Sequence, residues 1–187
     1  MTSRLLGRLL RGFRAGTRHL ARNHPSLWAI PDSIRLQSAS FASGGAMPTR
    51  CAGLGVGENT SPALQWSGVP AETEELVLIM EDPDAPLRRP VVHLIALGIA
   101  PSRTSFSEGA LSQGAPGDVR FGVGSFNRQG YHGPRPVPGH GPHKYLLQVI
   151  ALEKSLQFQE PPTLDAVLAA ANGNVLARGE IVGQFER

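Results

Sequence analysis

The chain has 187 residues, 41% hydrophobic and 18% charged, which suits one domain with a real core plus a short appendage and argues against a disordered chain. Twenty-two Gly and sixteen Pro argue against a helical bundle and for short strands joined by long loops. The single cysteine, Cys51, excludes an intramolecular disulfide and a thiolate zinc site, and the net charge of +3 divides into +6 over residues 1–31, with six Arg and no acid, and −3 beyond them, so the domain is not a basic nucleic-acid binder.

Residues 1–31 read as a basic appendage and linker, and residues 32–187 as the domain. At about 100° per residue, Arg4, Arg8, Arg11, Arg14, Arg18 and Arg22 share one helical face, and Leu5, Leu6, Leu9, Leu10, Phe13 and Leu20 the other. This predicts an N-terminal amphipathic helix ending near Asn23, before His24-Pro25. It has no apolar run long enough to span a bilayer and no secretory h-region. The first expectation is that its apolar stripe docks on the domain or on a second subunit. The other readings are peripheral contact with an anionic membrane and a mitochondrial transit peptide. Trp28 is expected to plug the linker into the domain.

Within the domain, Ile34 and Leu36 alternate with Arg35 and Gln37, as in a half-buried strand over 33–38. A Gly-, Ser- and Pro-rich loop follows over 43–62, then a short strand over 63–67 carrying Trp66. Residues 75–81, 91–99 and 145–152 are continuous apolar runs, expected of strands buried on both faces. Residues 101–144 are a long loop region dense in Gly, Pro and His. Thr163 reads as the N-cap of a helix with Leu164, Val167, Leu168 and Ala171 on its apolar face and Gly173 as its stop. Residues 174–185 form a last strand. The fold class is therefore all-β dominated: a β-sandwich with one or two peripheral helices and the N-terminal amphipathic helix.

Three clusters can carry chemistry. Asp82 and Asp84 follow a buried strand, in a backbone stiffened by Pro83 and Pro86, and are expected at the mouth of the sheet; a plain Asx turn is the competing reading. His93 interrupts an apolar strand. Residues 130–145 hold three His, two Tyr and four Pro, so a wall built from them is pre-organised. His143 and Tyr145, two apart at a strand start, face the same way.

Together, "SPALQWSGVP", "DPDAP", the His of the next strand, "GYHGPRPVPGHGPHKY" and the closing "ARGEIVGQFER" resemble the phosphatidylethanolamine-binding protein family, in particular its bacterial Raf-kinase-inhibitor-like branch, over about residues 33–187. The resemblance implies a sandwich with a small preformed pocket for phosphate-like anions, phospholipid head groups included. It makes Asp82 the pocket carboxylate, His93 the pocket histidine, Pro136 a wall, and His143 and Tyr145 the far side. Asp84 would hold the loop by hydrogen bonds, with Pro86, Gly133 and Pro134 as further support. Three departures thin the pocket's aromatics: Val92 and Leu94 flank His93, Val137 follows Pro136, and 164–171 offers no aromatic.

The expected function is anion binding without catalysis, cofactor or metal, with a link to kinase signalling by family analogy. Protonated His93 and His143 would hold the anion, so affinity would fall as pH rises near roughly 6.5. The alternatives are inhibition of a kinase or serine protease by protein contact, again by family analogy, and a small hydrolase. The last has Ser125 and Cys51 as nucleophiles without a Gly-x-Ser-x-Gly elbow, or Asp82, His93, His140 and His143 as metal ligands at no recognised spacing. A cytoplasmic location is expected, or a mitochondrial one if the N-terminus is a transit peptide. The appendage and the bacterial-type scaffold together point to a homodimer.

Overall fold

The computed structural model describes residues 2–112, 114, 116, 117 and 119–187. After α1 (Thr2–Leu10) come β1 (Arg35–Gln37) and β2 (Leu64–Ser67), then the long strands β3 (Glu75–Asp82) and β4 (Val91–Ile99). The two-residue strands β5 (Ser105–Phe106), β6 (Arg120–Phe121), β7 (Val123–Gly124) and β8 (Arg128–Gln129) follow. The chain closes with β9 (His143–Leu152), α2 (Leu164–Ala170) and β10 (Val175–Phe185).

An antiparallel five-stranded sheet, in the order β10-β9-β3-β4-β6, faces a smaller sheet, β1-β2-β5. The expected sandwich is present. The apolar run of β3 serves two cores at once, because alternate side chains leave a strand on opposite faces. Leu76, Leu78 and Met80 join Ile34, Leu36, Trp66, Tyr145 and Leu147 between the sheets. Val77 and Ile79 join Ile95, Ile150 and the α2 residues Leu164, Val167 and Leu168 on the other side. The cap at Thr163 forms as expected, its hydroxyl accepting from Ala166 N–H at 3.4 Å.

The N-terminal region departs from expectation in three ways. α1 ends at Leu10, not near Asn23. Gly12 and Gly16 follow, Gly16 with a left-handed φ of 76°, and the backbone leaves the helix to bond the domain: Ala15 N–H donates to Ala85 O and Gly16 N–H to Pro83 O. Most of the apolar stripe does not dock on the domain, although Leu20, beyond the helix, is buried. Leu5, Leu6, Leu9 and Phe13 are all more than half exposed, and it is Gly7 that is buried, because only a residue without a side chain fits against Pro138 O and His140 N. Trp28 is not the plug: it is exposed, while its neighbour Leu27 and Ala21 enter the second core. Among the described residues, no helix is long and apolar enough to cross a membrane.

Candidate functional site

The C-terminal end of β3, the start of β4, the start of β9 and the loop over 130–142 converge on a cleft of about 250 Å³. Asp82, Pro86, His93, Gly133, Pro136 and His143 all line it, from segments up to 61 residues apart in the chain. Tyr145 does not. Its ring lies behind the wall, edge-on to His93 at 5.3 Å and stacked on His143 at 6.4 Å. The space is below the usual range of about 300–1,000 Å³ for drug-sized ligands, so it fits only a small group.

Asp82 is not at the mouth of the sheet but buried, as the last residue of β3. Its Oδ1 accepts from Asp84 N–H at 2.7 Å and Ala85 N–H at 3.1 Å, which folds the Pro-rich turn back on the strand end. Its Oδ2 meets His143 Nδ1 at 2.8 Å. Asp84 accepts from Lys144 N–H at 2.7 Å and pairs with Arg14 at 2.7 Å, which ties the turn to the start of β9 and to the N-terminal segment. On the opposite wall, Gly133 N–H donates to Asn59 Oδ1 and Pro134 O accepts from Gly53 N–H. A Cβ on Gly133 would overlap Cys51 O, so this close approach requires glycine.

The histidines differ from expectation. His143 has no ring nitrogen left for a ligand: Nδ1 faces Asp82, and Nε2 lies 2.8 Å from His140 Nδ1. His140 Nε2 in turn faces Leu10 O at 2.8 Å and Phe13 O at 3.2 Å. Carbonyls only accept, so His140 Nε2 carries a proton. Three links in a row then need three protons: one between Asp82 and His143, one between the histidines and one toward the carbonyls. A carboxylate and two neutral imidazoles hold two, so the chain carries one proton more and is electrically neutral.

His93 uses Nδ1 on His132 O, which leaves Nε2 as the lone-pair nitrogen of a neutral ring. Burial pushes its pKa down, against a smaller opposing pull from Asp82. His93 Nε2 and Tyr145 Oη are buried without a partner among the described residues. Burial first, and the Asp82 charge second, push the Tyr145 hydroxyl up, so it stays a neutral donor.

Sequence reasoning missed the cations of the rim. The exposed Arg128 and Arg135 line the cleft, as do Ser125 and the exposed Phe126. Arg135 was open to discovery inside the Pro-rich loop; Arg128 lies in a segment with no sequence signal. Phe126 returns one aromatic to a pocket expected to be poor in them, and the Arg128 guanidinium lies 5.8 Å from its ring centroid. Of the two nucleophile candidates, Cys51 is fully buried with its thiol pushed up by burial to about 11. Ser125 Oγ accepts from Val92 N–H at 2.9 Å.

The family model described as phosphatidylethanolamine-binding protein matches residues 37–186. A UPF0098 protein of Methanothermobacter thermautotrophicus is 34% identical over 157 residues, 82% of this chain and 99% of that protein. The crystal structure of E. coli YbcL superposes with a TM-score of 0.76 at 28% identity, covering 83% of this chain and 99% of that one. The Chlamydia trachomatis homologue CT736 gives 0.74 at 29% identity, with the same coverage of both chains.

Proposed function

The chain belongs to the phosphatidylethanolamine-binding protein family, and on that premise we propose that it is a binding protein whose cleft takes a phosphate-like group in its singly protonated, monoanionic form. The observation that carries this reading is the pairing of a lone-pair nitrogen, His93 Nε2, with two rim guanidiniums, Arg128 and Arg135, around one small cleft. A P–OH donates to His93 Nε2, and the charged oxygens face the guanidiniums, where ionic hydrogen bonds are strong. The Asp82–His143–His140 chain, neutral as a unit, adds no net repulsion. A phosphomonoester presents this chemistry, and so does a phospholipid head group that ends in a monoester; a phosphodiester head group has no P–OH to donate. The cleft binds rather than turns over its ligand, since Cys51 is buried as a thiol and Ser125 is engaged with the backbone.

Calorimetric titration with O-phosphoethanolamine and with inorganic phosphate tests this. Wild type should bind both, and Arg135→Ala should lose about tenfold, the worth of one charged hydrogen bond. Affinity should fall as pH rises through about 6, where a phosphomonoester loses its second proton. The direction matches that expected from protonated histidines, but the titrating group is the ligand. Equal affinity for wild type, Arg135→Ala and His93→Ala, or no binding at all, removes the cleft assignment.

A further inference from the structure

The N-terminal arm carries an apolar ridge that the fold leaves uncovered. α1 lies on the domain by its Gly7 edge, with Arg4 O packed close to Gly139. The segment after it is tied down by side chains: Arg11 Nε donates to Gly139 O at 2.9 Å, His140 meets Leu10 O, and Arg14 pairs with Asp84. This seating turns the opposite face outward. Leu5, Leu6, Leu9 and Phe13 are 61%, 54%, 77% and 56% exposed. Leu5 and Leu9 sit one turn apart on α1, with Leu6 beside them and Phe13 just beyond the helix, an exposed apolar cluster of the kind that marks an interaction surface.

Charge selects the partner. Arg4 and Arg8 are exposed on the flank of Leu5 and Leu9, and residues 1–31 contain no acid. Leucines bordered by arginines suit a helix lying in a lipid interface, the leucines in the acyl boundary and the guanidiniums among anionic head groups. A symmetric contact between two copies through the ridge would bring the Arg4 and Arg8 of each arm toward those of the other, which like-charge repulsion opposes. We propose that the arm docks this protein on the surface of an anionic phospholipid bilayer.

The arm bonds to Pro83, Ala85, Gly139 and His140, and Ala85 also lines the cleft. The exposed Leu87 and Phe126 stand at the cleft as well. Docking by the arm therefore sets the cleft beside the lipid surface. The proposal stands apart from the anion-binding reading, which the soluble-ligand titration tests on its own.

Co-sedimentation of the full chain with vesicles of phosphatidylcholine alone, or with phosphatidylglycerol added, is the test. Wild type should bind the anionic vesicles about tenfold or more tightly than the neutral ones, since each basic residue near such a surface contributes roughly a factor of five. Added salt should release it. Leu5→Glu/Leu9→Glu, two exposed positions whose change leaves the fold intact by circular dichroism, should stay in the supernatant. Three results overturn the proposal: wild type that does not pellet, a double variant that pellets as wild type does, or a wild-type dimer that the double variant converts to monomer, which would show a second copy covering the ridge.

Discussion

At Asp82 the two carboxylate oxygens serve different structures: Oδ1 closes the Pro83–Pro86 turn, and Oδ2 begins the proton chain to the arm. Asp82→Asn should keep both. The amide oxygen replaces Oδ1, and the amide N–H supplies the proton between residue 82 and His143, so every link is satisfied with both histidines neutral. Asp82→Ala leaves the Asp84 and Ala85 amides and His143 Nδ1 without an acceptor, at a cost of about 3 kcal/mol or more. Hydrogen exchange at the Ala15 and Gly16 amides, which bond Ala85 O and Pro83 O, should stay slow in Asp82→Asn and speed up in Asp82→Ala. One residue earlier, Glu81 faces the other core. Its Oε2 accepts from Ala21 N–H and Gln148 Nε2, both at 2.9 Å, while Oε1 has no partner among the described residues. Burial pushes its pKa up from 4.5 to about 7. A carboxyl whose folded pKa exceeds its unfolded one stabilises most when protonated, so its contribution is complete below about 4.5 and is lost as pH rises through about 7. Glu81→Gln retains an oxygen acceptor and has no proton to lose. Denaturant unfolding should show this variant gaining on wild type between pH 5 and pH 8, by up to about 3 kcal/mol.

The elements divide by how much burial each imposes on its sequence. β3, β4 and β9 lie in the centre of the five-stranded sheet, covered on both faces, so they admit little but apolar residues and are plain as continuous runs. β1 and β2 cover a single face, and Leu36 and Trp66 alternate with exposed neighbours. β5 to β8 were hidden inside the stretch over 101–144, because two residues cannot display a period of two. That stretch also contributes Arg128, and the same short elements explain why it was missed: nothing in the sequence says which side of a two-residue strand meets the cleft. Asp82 was legible as a polar residue closing an apolar run and His93 as one interrupting it, whereas Pro136 was marked only by the family resemblance. The engagement of His143 with His140 was not legible. It depends on Gly139 and Gly141, at φ of 80° and 101°, bending the loop until residues three apart bring their rings to 4.8 Å. α1 misleads for a related reason. Its amphipathic pattern is real, but seating on the domain is decided by Gly7 and by the backbone, and hydrophobic periodicity records neither.

For the whole molecule, the charge boundary near residue 31 and the structural boundary of the arm do not coincide. Residues 4–16 sit on the surface at the cleft end, held by hydrogen bonds and the Arg14–Asp84 ion pair. Residues 20–27 are part of the body. Leu20, Ala21 and Leu27 are essentially buried, Ala21 and Leu27 lie in the core beneath α2, and Ala21 N–H is one of two donors to the Glu81 carboxyl. Arg22 pairs with Glu180 on β10 at 2.8 Å, and Arg178 donates to Arg22 O. Two truncations separate these parts. Removing residues 1–16 takes away the lipid-facing ridge and the two carbonyls that face His140, but leaves the second core filled and gives His140 Nε2 water as its acceptor. The shortened protein should fold, with unfolding free energy within about 2 kcal/mol of the full chain. Removing residues 1–31 takes the buried Leu20 and Leu27, at about 2–3 kcal/mol each, and removes Ala21 and Leu27 from the core beneath α2. That loss of about 4–6 kcal/mol is comparable to the whole stability of a marginal domain. Near-ultraviolet circular dichroism with thermal melts of the two truncations should give one cooperative transition for the first and none, or one far below it, for the second. A cooperative fold of undiminished stability in the second would mean that the domain begins where the charge changes, at residue 32, and that residues 20–27 only fill a groove it can close without them.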